Sequence, residues 1–301
     1  MAHRERRRAR LDASVADYPR RYCSVCDRVV DKGFDPGPGG RPDASCPHCG
    51  SLERHRFLAV ALGVLRPSLG DIGLLLDIAP SPQTTPLFKR LDARQHVRLD
   101  LGADPRRVDV LGSVTELPFQ AGSVDLLVCY HVLEHVPDDL AGMREIARVL
   151  SDDGVALVQV PWRPGTVTDE DPEAPEDERV RRFGQADHVR YYGDDFEDRL
   201  VSCGLGIQRI TPRSLLGEHM TTWLHLVPDE TVWILRRSDA AVVPPRDEAA
   251  AVGLQPTFEA MLDEMTKLRG RLVEERKRSA APQGGRRFAV RSGRADRSRS
   301  R

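Results

Sequence analysis

From residue 72 onward, short apolar runs alternate with amphipathic helical patterns. The apolar runs lie at residues 73–79, 96–100, 107–112, 123–130 and 154–160, and the helical patterns lie at 84–92 and 138–150. Runs of this length separated by helices are typical of parallel strands whose two faces are both covered. The sequence therefore predicts an α/β fold. Ligands of such sheets bind beyond the carboxyl ends of the strands, where the strand order reverses, and this directs attention to residues 77–82.

Two CxxC pairs precede this alternation. Cys23 and Cys26 are followed after 19 residues by Cys46 and Cys49, a spacing typical of a zinc ribbon. Four thiolates close a tetrahedron around one zinc ion and leave no position for water, so the predicted ion is structural. A redox dithiol is the weaker alternative, because the pairs lack a strand followed by a helix. His48 is expected to hydrogen-bond a thiolate or to replace Cys49.

The stretch "SLERHRFLAVALGVLRP", residues 51–67, predicts a helix directly after the second cysteine pair. Ser51 is expected to cap its amino terminus, and Pro67 is expected to stop it. The charged residues 53–56 are interpreted mainly as a solvated face. The alternative is that they pack on the cysteine-rich segment or face a ligand.

Composition limits the classes of protein that fit. A chain of 301 residues with 40% hydrophobic residues can bury one large core or two smaller ones. Its net charge of -1 conceals basic ends at residues 4–10 and 284–301, which could touch phosphates or anionic lipid but are interpreted as solvated tails. No stretch approaches the roughly 20 apolar residues of a membrane span, so we expect a cytoplasmic protein.

Residues 117–162, "LPFQAGSVDLLVCYHVLEHVPDDLAGMREIARVLSDDGVALVQVPW", resemble the middle of a class I S-adenosylmethionine-dependent methyltransferase of the small-molecule type. Residues 72–237 can be laid on that pattern. The segments "CPHCGSLERHR" and "FGQADHVRYYGDDF" resemble a bacterial subgroup with an amino-terminal zinc knuckle. The resemblance implies a Rossmann-like, seven-stranded sheet whose last strand is antiparallel, with a small zinc ribbon before it and a helix after it.

The resemblance places the cofactor against the turn after the first core strand. In the common form of this fold the turn is rich in glycine, whereas here it reads "DIAPSPQTT". Ala79 and Pro80 are expected to leave room for S-adenosylmethionine, and Asp77 is expected to accept a hydrogen bond from its amino group. The alternative is that the altered turn no longer binds a cofactor.

Other cofactor contacts follow from the same resemblance. Asp100, at the end of the second strand, resembles the acid that accepts both ribose hydroxyls. Ser113 stands where the family commonly has an acid near the adenine. A backbone contact from Val114 and apolar packing by Leu117 are expected to replace that acid, while Tyr130 is expected to line the site.

The long connection between residues 161 and 196 is interpreted as a lid over the acceptor. Asp187 and His188 are expected to form the proton acceptor, with His131 lining the site beside the methyl donor. The alternative is that Asp187 and His188 only hold the lid down. Orientation can be worth roughly 7–11 kcal/mol and a general base about 10²–10⁴-fold, so alignment of the acceptor is the larger effect.

Further wall residues are predicted in this lid. Phe183, Tyr191 and Tyr192 are expected to wall the pocket, and Arg190 is expected to contact an anion. Glu134 and His135 are interpreted as anchors of the loop before a helix capped by Asp138, with no catalytic role.

The predicted organisation of the chain has six parts. They are a basic flexible tail (1–20), the zinc knuckle (21–50), a methyltransferase domain (51–240) with its lid (161–196), a linker (241–253), a helix (254–280) and a basic disordered tail (281–301). The narrow apolar stripe of the 254–280 helix is of the coiled-coil type and predicts a homodimer as a hypothesis.

The predicted function is methyl transfer from S-adenosylmethionine to a small-molecule or saccharide-like acceptor, with oxygen preferred as the acceptor atom. One alternative is an RNA methyltransferase that binds nucleic acid through its zinc ribbon. It is disfavoured because residues 20–50 are not strongly basic and lack interleaved aromatic residues. The other alternative is an inactive methyltransferase fold that serves as a binding or scaffold protein.

Overall fold

The computed structural model describes residues 21–102 and 108–237, together with the isolated positions 270 and 274. The predicted tails, the 241–253 linker and most of the predicted 254–280 helix lie outside the described residues, so the homodimer stays a prediction. Within the described ranges, no helix has the length and apolarity needed to cross a membrane.

The chain forms eleven strands and seven α-helices within the described residues. In chain order the strands are β1 (Arg21–Cys23), β2 (Arg28–Val30), β3 (Leu74–Ile78), β4 (Gln95–Asp100), β5 (Val110–Leu111), β6 (Val124–Tyr130), β7 (Leu150–Gln159), β8 (Asp169–Glu170), β9 (Arg190–Tyr191), β10 (Leu205–Ile210) and β11 (Val232–Arg237). The helices are α1 (Glu53–Leu65), α2 (Thr85–Lys89), α3 (Asp139–Val149), α4 (Glu176–Phe183), α5 (Phe196–Ser202), α6 (Pro212–Leu216) and α7 (Glu218–Trp223).

Seven strands form one sheet in the order β10-β11-β7-β6-β3-β4-β5. The strands from β7 to β5 are parallel, and β11 is antiparallel to both of its neighbours. This topology confirms the predicted seven-stranded α/β sheet with its last strand antiparallel. The chain enters the sheet at β3 and later returns to the other side of that strand as β6, so the order reverses between β3 and β6.

Both faces of the sheet are covered. Leu75 and Leu76, neighbours on β3, are each 0% exposed and belong to two different apolar clusters. The first cluster joins the sheet to α1, α6, α7 and the cysteine-rich segment, and the second joins it to α3 and α5. Burial on both sides explains why β3 reads as a continuous apolar run, with each buried leucine contributing roughly 1.5–3 kcal/mol.

The cysteine-rich segment, residues 21–50, packs directly on the seven-stranded sheet unit. Tyr22 on β1 stacks on Trp223 of α7 with ring centroids 5.1 Å apart. Tyr22 and Cys23 also belong to the same buried cluster as Leu75. The segment and the sheet therefore share one core.

Arg56 on α1 ties this segment to the rest of the chain. Its side chain is 0% exposed, and its guanidinium donates to the carbonyl oxygens of Ala44, Ser51 and His225. The guanidinium also lies over the ring of Phe34 at 4.2 Å from the centroid. The interpretation of residues 53–56 as mainly a solvated face is therefore wrong.

The first turn of α1 differs from the prediction. The helix begins at Glu53, and the N–H of Leu52 is satisfied by Nδ1 of His55 at 3.2 Å. Ser51 is therefore not the cap; its hydroxyl faces the cysteines. The predicted stop is confirmed, because α1 ends at Leu65 and a 3-10 turn containing Pro67 follows.

The 161–196 segment folds as β8, α4 and β9 against the second cluster. Phe183 and Tyr192 are 1% and 0% exposed, and the hydroxyl of Tyr192 donates to Oδ2 of Asp139 at 2.8 Å. Arg190 donates to the carbonyls of Leu133, Val136 and Pro137 at the start of α3. These three residues brace the fold, so the predicted pocket walls at Phe183 and Tyr192 and the predicted anion contact of Arg190 are wrong. Tyr191, the third predicted wall, lies under the guanidinium of Arg163 at 3.8 Å.

Candidate functional site

Polar side chains converge at the carboxyl edge of the sheet. Because parallel strands end at the same edge, the last residues of β3, β6 and β7 meet there, and antiparallel β11 begins there. Several buried polar atoms at this edge have no hydrogen-bond partner among the described residues: Asp77 Oδ2, Tyr130 Oη, Glu134 Oε2, Gln159 Oε1 and Glu230 Oε2. An unsatisfied buried polar atom costs about 1–3 kcal/mol, so such a concentration indicates a place for a ligand.

The backbone at this edge is held in an uncommon conformation. Ala79, after β3, has a φ of 53°, and His131, after β6, has a φ of 55°. The N–H of Ala79 donates to the carbonyl of Leu99 at 2.8 Å, and that of His131 donates to the carbonyl of Gln159 at 2.9 Å. A left-handed residue with a Cβ costs roughly 1–2 kcal/mol and persists where its surroundings fix it, often at functional sites.

A cavity of about 450 Å³ lies between this edge and the cysteine-rich segment. The turn after β3 lines it with Ala79, Ser81 and Gln83, and β6 contributes Tyr130 and His131. The opposite wall comes from residues 36–38 and from the first turns of α1, including Arg54 and His55. Among the described residues that line the cavity, neither Pro80 nor Pro82 is found. The prolines therefore shape the turn without filling the space, although Pro80 was predicted to face the cofactor.

Asp77, on β3 just before the turn, is the acidic residue among the described residues that line the cavity. It is 3% exposed, and its Oδ2 lies 3.5 Å from Nε2 of His96, beyond a normal hydrogen bond. Burial raises the pKa of this carboxyl above its ordinary value. A ligand ammonium or hydroxyl would satisfy the unpartnered oxygen and favour the ionised form.

Tyr130 and His131 form the other side of the cavity. Burial raises the pKa of Tyr130 well above its ordinary value, so its hydroxyl stays a neutral donor. Nδ1 of His131 lies 3.0 Å from Oε1 of Glu134, which is 0% exposed. A carboxylate that holds Nδ1 of an imidazole leaves Nε2 to accept a proton. His131 therefore has the arrangement of a general base.

The structure separates Asp187 from His188. The Asp187 carboxylate lies 3.3 Å from Nδ1 of His135 and its side chain is 70% exposed. His188 is 4% exposed, and its Nδ1 lies 3.1 Å from the carbonyl oxygen of Phe183 at the end of α4. Burial lowers the pKa of His188. Neither residue lines the cavity described above, and the end of α4 takes Nδ1 of the imidazole, so the structure does not join the two side chains. Their role as proton acceptor stays a prediction.

Asp100 and Ser113 lie at the ends of β4 and β5. Oδ1 of Asp100 accepts the N–H of Leu101 at 2.6 Å, and Oγ of Ser113 lies 2.7 Å from Oγ1 of Thr115. Both belong to the carboxyl edge but not to the cavity lining formed by described residues. Their contacts with the ribose and adenine stay predictions.

Val114 and Leu117 serve the core. Their side chains are 4% and 3% exposed and belong to the cluster that packs the sheet on α3. The N–H of Leu117 donates to Oε2 of Glu145 at 2.7 Å. The structure does not bring either side chain to the described cavity. The backbone contact of Val114 and the apolar packing of Leu117 stay predictions.

The four predicted metal-ligating cysteines come together at the base of the cysteine-rich segment. Cys23 and Cys49 have their sulfurs 3.8 Å apart, and Cys26 and Cys46 have theirs 3.9 Å apart. All four sulfurs lie within 4.8 Å of one another. A zinc ion with Zn–S distances of about 2.3 Å has its four sulfurs roughly 3.8 Å apart. The cluster therefore has the chemistry and the size of a closed tetrahedral zinc site.

The surroundings of the cysteines are polar. The hydroxyl of Ser51 lies 3.2 Å from the sulfurs of both Cys23 and Cys49, a distance suited to stabilising thiolates. Nε2 of His48 lies 3.2 Å from the carbonyl oxygen of Val29. The expectation that His48 replaces Cys49 or bonds a thiolate is therefore wrong.

Sequence reasoning gave the wall opposite the turn only as an alternative, in which residues 53–56 face a ligand. Arg54 and His55 line the cavity because α1 follows the second cysteine pair without a linker, so its first turn must lie where the cysteine-rich segment meets the sheet. Burial lowers the pKa of His55 to about 3, so it is neutral at physiological pH. Glu230 was missed because sequence reasoning considered residues that follow strands. Glu230 instead precedes β11, and because β11 is antiparallel, its start lies at the edge where the parallel strands end.

Comparison with known proteins shows what the strands around this edge are similar to. Residues 72–158, from before β3 to the end of β7, match the profile of a family described as a methyltransferase domain. Two curated relatives, both named as probable S-adenosylmethionine-dependent methyltransferases of Mycobacterium tuberculosis (strains CDC 1551 and H37Rv), are each 41% identical over 58 residues. The match covers 19% of this chain and 21% of each relative, so the chain spans about a fifth of their length.

Solved structures show similar chain traces. A 1,6-didemethyltoxoflavin-N1-methyltransferase of Burkholderia thailandensis, solved with its substrate and S-adenosylhomocysteine, is 19% identical and has a TM-score of 0.39, covering 62% of this chain and 80% of that one. An S-adenosylmethionine-dependent methyltransferase of Mesorhizobium loti is 14% identical and has a TM-score of 0.42, covering 61% of this chain and 98% of that one. The family match falls on residues 72–158, which hold β3 to β7, and the chain is similar to methyltransferase domains over that part of the sheet.

Proposed function

We propose that the protein transfers a methyl group from S-adenosylmethionine to an oxygen atom of a small-molecule or saccharide-like acceptor. The observation that carries the proposal is the cavity at the carboxyl edge of β3 and β6. One side of its lining, from Asp77 to His131, belongs to the segment that matches the methyltransferase family, and the unpartnered carboxylate oxygen of Asp77 lies beside it.

The residues of the turn fit the cofactor. Asp77 would accept a hydrogen bond from its amino group, and Ala79 and Ser81 present little side-chain bulk to it. Asp100 would accept hydrogen bonds from the ribose hydroxyls at the end of the neighbouring strand. S-adenosylmethionine supplies a methyl group already activated by the positive sulfur, so the protein has mainly to orient the acceptor.

His131 is the residue that we expect to take the acceptor proton. It lines the cavity, and its Nδ1 lies against the buried Glu134 carboxylate. This Glu134–His131 pair replaces the predicted Asp187–His188 pair. A base of this kind contributes about 10²–10⁴-fold and suits a hydroxyl acceptor more than an amine, which is nucleophilic without one.

The cavity favours a small acceptor. Its volume of about 450 Å³ lies within the range of about 300–1,000 Å³ of small-molecule sites. Gly37 and Pro38 form part of the wall opposite the turn and limit the room for a polymer.

The four cysteines support a structural zinc ion. Four thiolates leave no open coordination position, and the shared core ties the ion to one wall of the cavity. Zinc would thus hold the wall in place without taking part in the reaction. Metal analysis of the purified protein should give one zinc per chain, and absence of zinc from folded, active protein would contradict this role.

The test of cofactor binding is calorimetric titration with S-adenosylmethionine. Ser81→Trp should abolish binding because Ser81 lines the cavity, whereas Pro82→Trp should retain it because Pro82 is exposed and lies outside the lining. Absence of binding by the wild-type protein, or equal binding by both variants, would overturn the assignment.

The acceptor atom is tested by transfer of a ¹³C-labelled methyl group to a pool of hydroxylated small molecules. The ¹³C chemical shift of the product distinguishes O-methyl from N-methyl and C-methyl groups. Product bearing only N-methyl or C-methyl signals would contradict the preference for oxygen.

A further inference from the structure

We infer that Glu134, His135 and His188 form a binding site for a divalent metal ion, separate from the four cysteines. One donor atom from each of the three side chains lies within 4.8 Å of the other two. Glu134 and His188 are buried, and His135 is half-buried. His135 and His188 are brought together from the turn after β6 and from the segment after α4, with ring centroids 4.6 Å apart.

The two imidazoles are oriented as metal ligands usually are. Nδ1 of His188 faces the carbonyl oxygen of Phe183 at 3.1 Å, and Nδ1 of His135 faces the carbonyl oxygen of Asp187 at 3.1 Å. A carbonyl that accepts Nδ1–H fixes the tautomer and leaves the Nε2 lone pair free. Nε2 of each ring forms no hydrogen bond with the described residues, so both lone pairs are free to bind a cation.

The Glu134 carboxylate supplies the independent sign of a missing ligand. Its side chain is 0% exposed, its Oε1 is held by Nδ1 of His131, and its Oε2 has no partner among the described residues. A buried carboxylate oxygen without a partner is costly unless a cation or a donor satisfies it. A metal ion between Glu134 and the two histidines would provide that compensation.

Two imidazoles and one carboxylate select a particular class of ion. Imidazole suits Zn²⁺, Fe²⁺ and Ni²⁺, carboxylate suits Mg²⁺ and Mn²⁺, and the mixed set suits borderline first-row divalent ions. Metal–ligand distances of about 2.1 Å place ligand atoms roughly 3–3.4 Å apart, so a pair of donor atoms at the 4.8 Å limit would have to close by about 1.4–1.8 Å. Three protein ligands leave coordination positions open, unlike the four cysteines.

The position of the site gives it a role. Glu134 also holds His131, which lines the cavity. By binding Glu134, the ion would fix the carboxylate that orients His131; this role rests on the proposed function, whereas binding of the ion does not.

The test is titration of the full-length, zinc-loaded protein with Mn²⁺. Binding is measured by electron paramagnetic resonance, because the sharp signal of the free ion disappears when the ion binds. Mn²⁺ prefers oxygen and nitrogen ligands, so it does not displace zinc from the thiolates. No S-adenosylmethionine or acceptor is added, which keeps the result independent of methyl transfer.

His188→Asn removes Nε2 and keeps a donor for the Phe183 carbonyl, and His135→Asn does the same at the half-buried position. His219→Asn, at an exposed histidine on α7, is the matched control. Circular dichroism melting identifies any variant that fails to fold.

The wild-type protein and the control should bind one Mn²⁺ each, and both site variants should bind it at least about 10-fold more weakly. Absence of Mn²⁺ binding by the wild type would overturn the inference. Unchanged binding by a folded His135→Asn or His188→Asn variant would also overturn it.

Discussion

Arg56→Leu should detach the cysteine-rich segment from the sheet unit. The Arg56 guanidinium is the donor for the carbonyl oxygens of Ala44 and His225, which lie on opposite sides of the junction. The Ser51 carbonyl also accepts from Arg56 but keeps a second donor, the N–H of Cys46 at 2.9 Å. The substitution therefore leaves the buried carbonyl of Ala44 and the half-buried carbonyl of His225 without a partner among the described residues.

The size of the effect follows from that count. Each unpartnered carbonyl costs about 1–3 kcal/mol, so the two together predict a loss of about 2–6 kcal/mol in the free energy of unfolding. Loss of the contact with the Phe34 ring adds to this, while relief from burying a charge offsets part of it. The free energy of unfolding of a domain is only about 5–15 kcal/mol, so a loss of this size should be easily measured.

Urea unfolding followed by tryptophan fluorescence measures this loss, because Trp223 stacks on Tyr22 at the junction. A chromogenic chelator added in parallel should take up zinc faster from Arg56→Leu than from the wild type. Arg66→Leu is the matched control, since the bond of Arg66 to the Gly70 carbonyl is exposed and its loss should change stability by about 0.5 kcal/mol or less. A loss below about 1 kcal/mol for Arg56→Leu, or an equal loss for both variants, would show that this arginine does not join the two parts.

Three further predictions concern the zinc cluster, the turn and the carboxyl edge. Cys46→Ser should lose zinc and lower the melting temperature; normal zinc content by metal analysis would contradict this. Ala79→Gly should leave the free energy of unfolding in urea unchanged or raise it by about 1 kcal/mol, because relief of the left-handed conformation offsets the entropy of glycine; a clear decrease would contradict it. Burial raises the pKa of Glu230 from 4.5 to about 7, so the folded state holds a proton that the unfolded state has lost. Its contribution should make stability fall as pH rises from about 4.5 to about 7, and Glu230→Gln should weaken that decline; identical pH profiles would refute it.

The sheet could be predicted because its signal is local. Each parallel strand is buried on both faces and therefore reads as an apolar run, and the predicted runs at 73–79 and 123–130 contain Leu74–Ile78 and Val124–Tyr130. The cap of α3 was also predictable, since Asp138 lies just before the helix and its Oδ1 accepts the N–H of Ala141 at 2.9 Å.

The hydrogen-bond partners of the charged side chains could not be predicted from local sequence. Asp187 and His188 are adjacent in sequence, but adjacent side chains need not face each other, and α4 places the Phe183 carbonyl against His188. Arg56 was read as solvated because its neighbours are charged, whereas one of its acceptors, His225, lies 169 residues away. The His131–Glu134 contact had a usable local signal, since it spans three residues in one tight turn.

A crystal structure of the protein with S-adenosylhomocysteine tests most directly whether the cavity at the carboxyl edge is a cofactor site. We expect the ligand between the turn at Ala79 and Tyr130, with its amino group at about 2.7–3.2 Å from the Asp77 carboxylate. An empty cavity at saturating ligand, or a ligand bound away from the ends of β3 and β6, would contradict the proposed function.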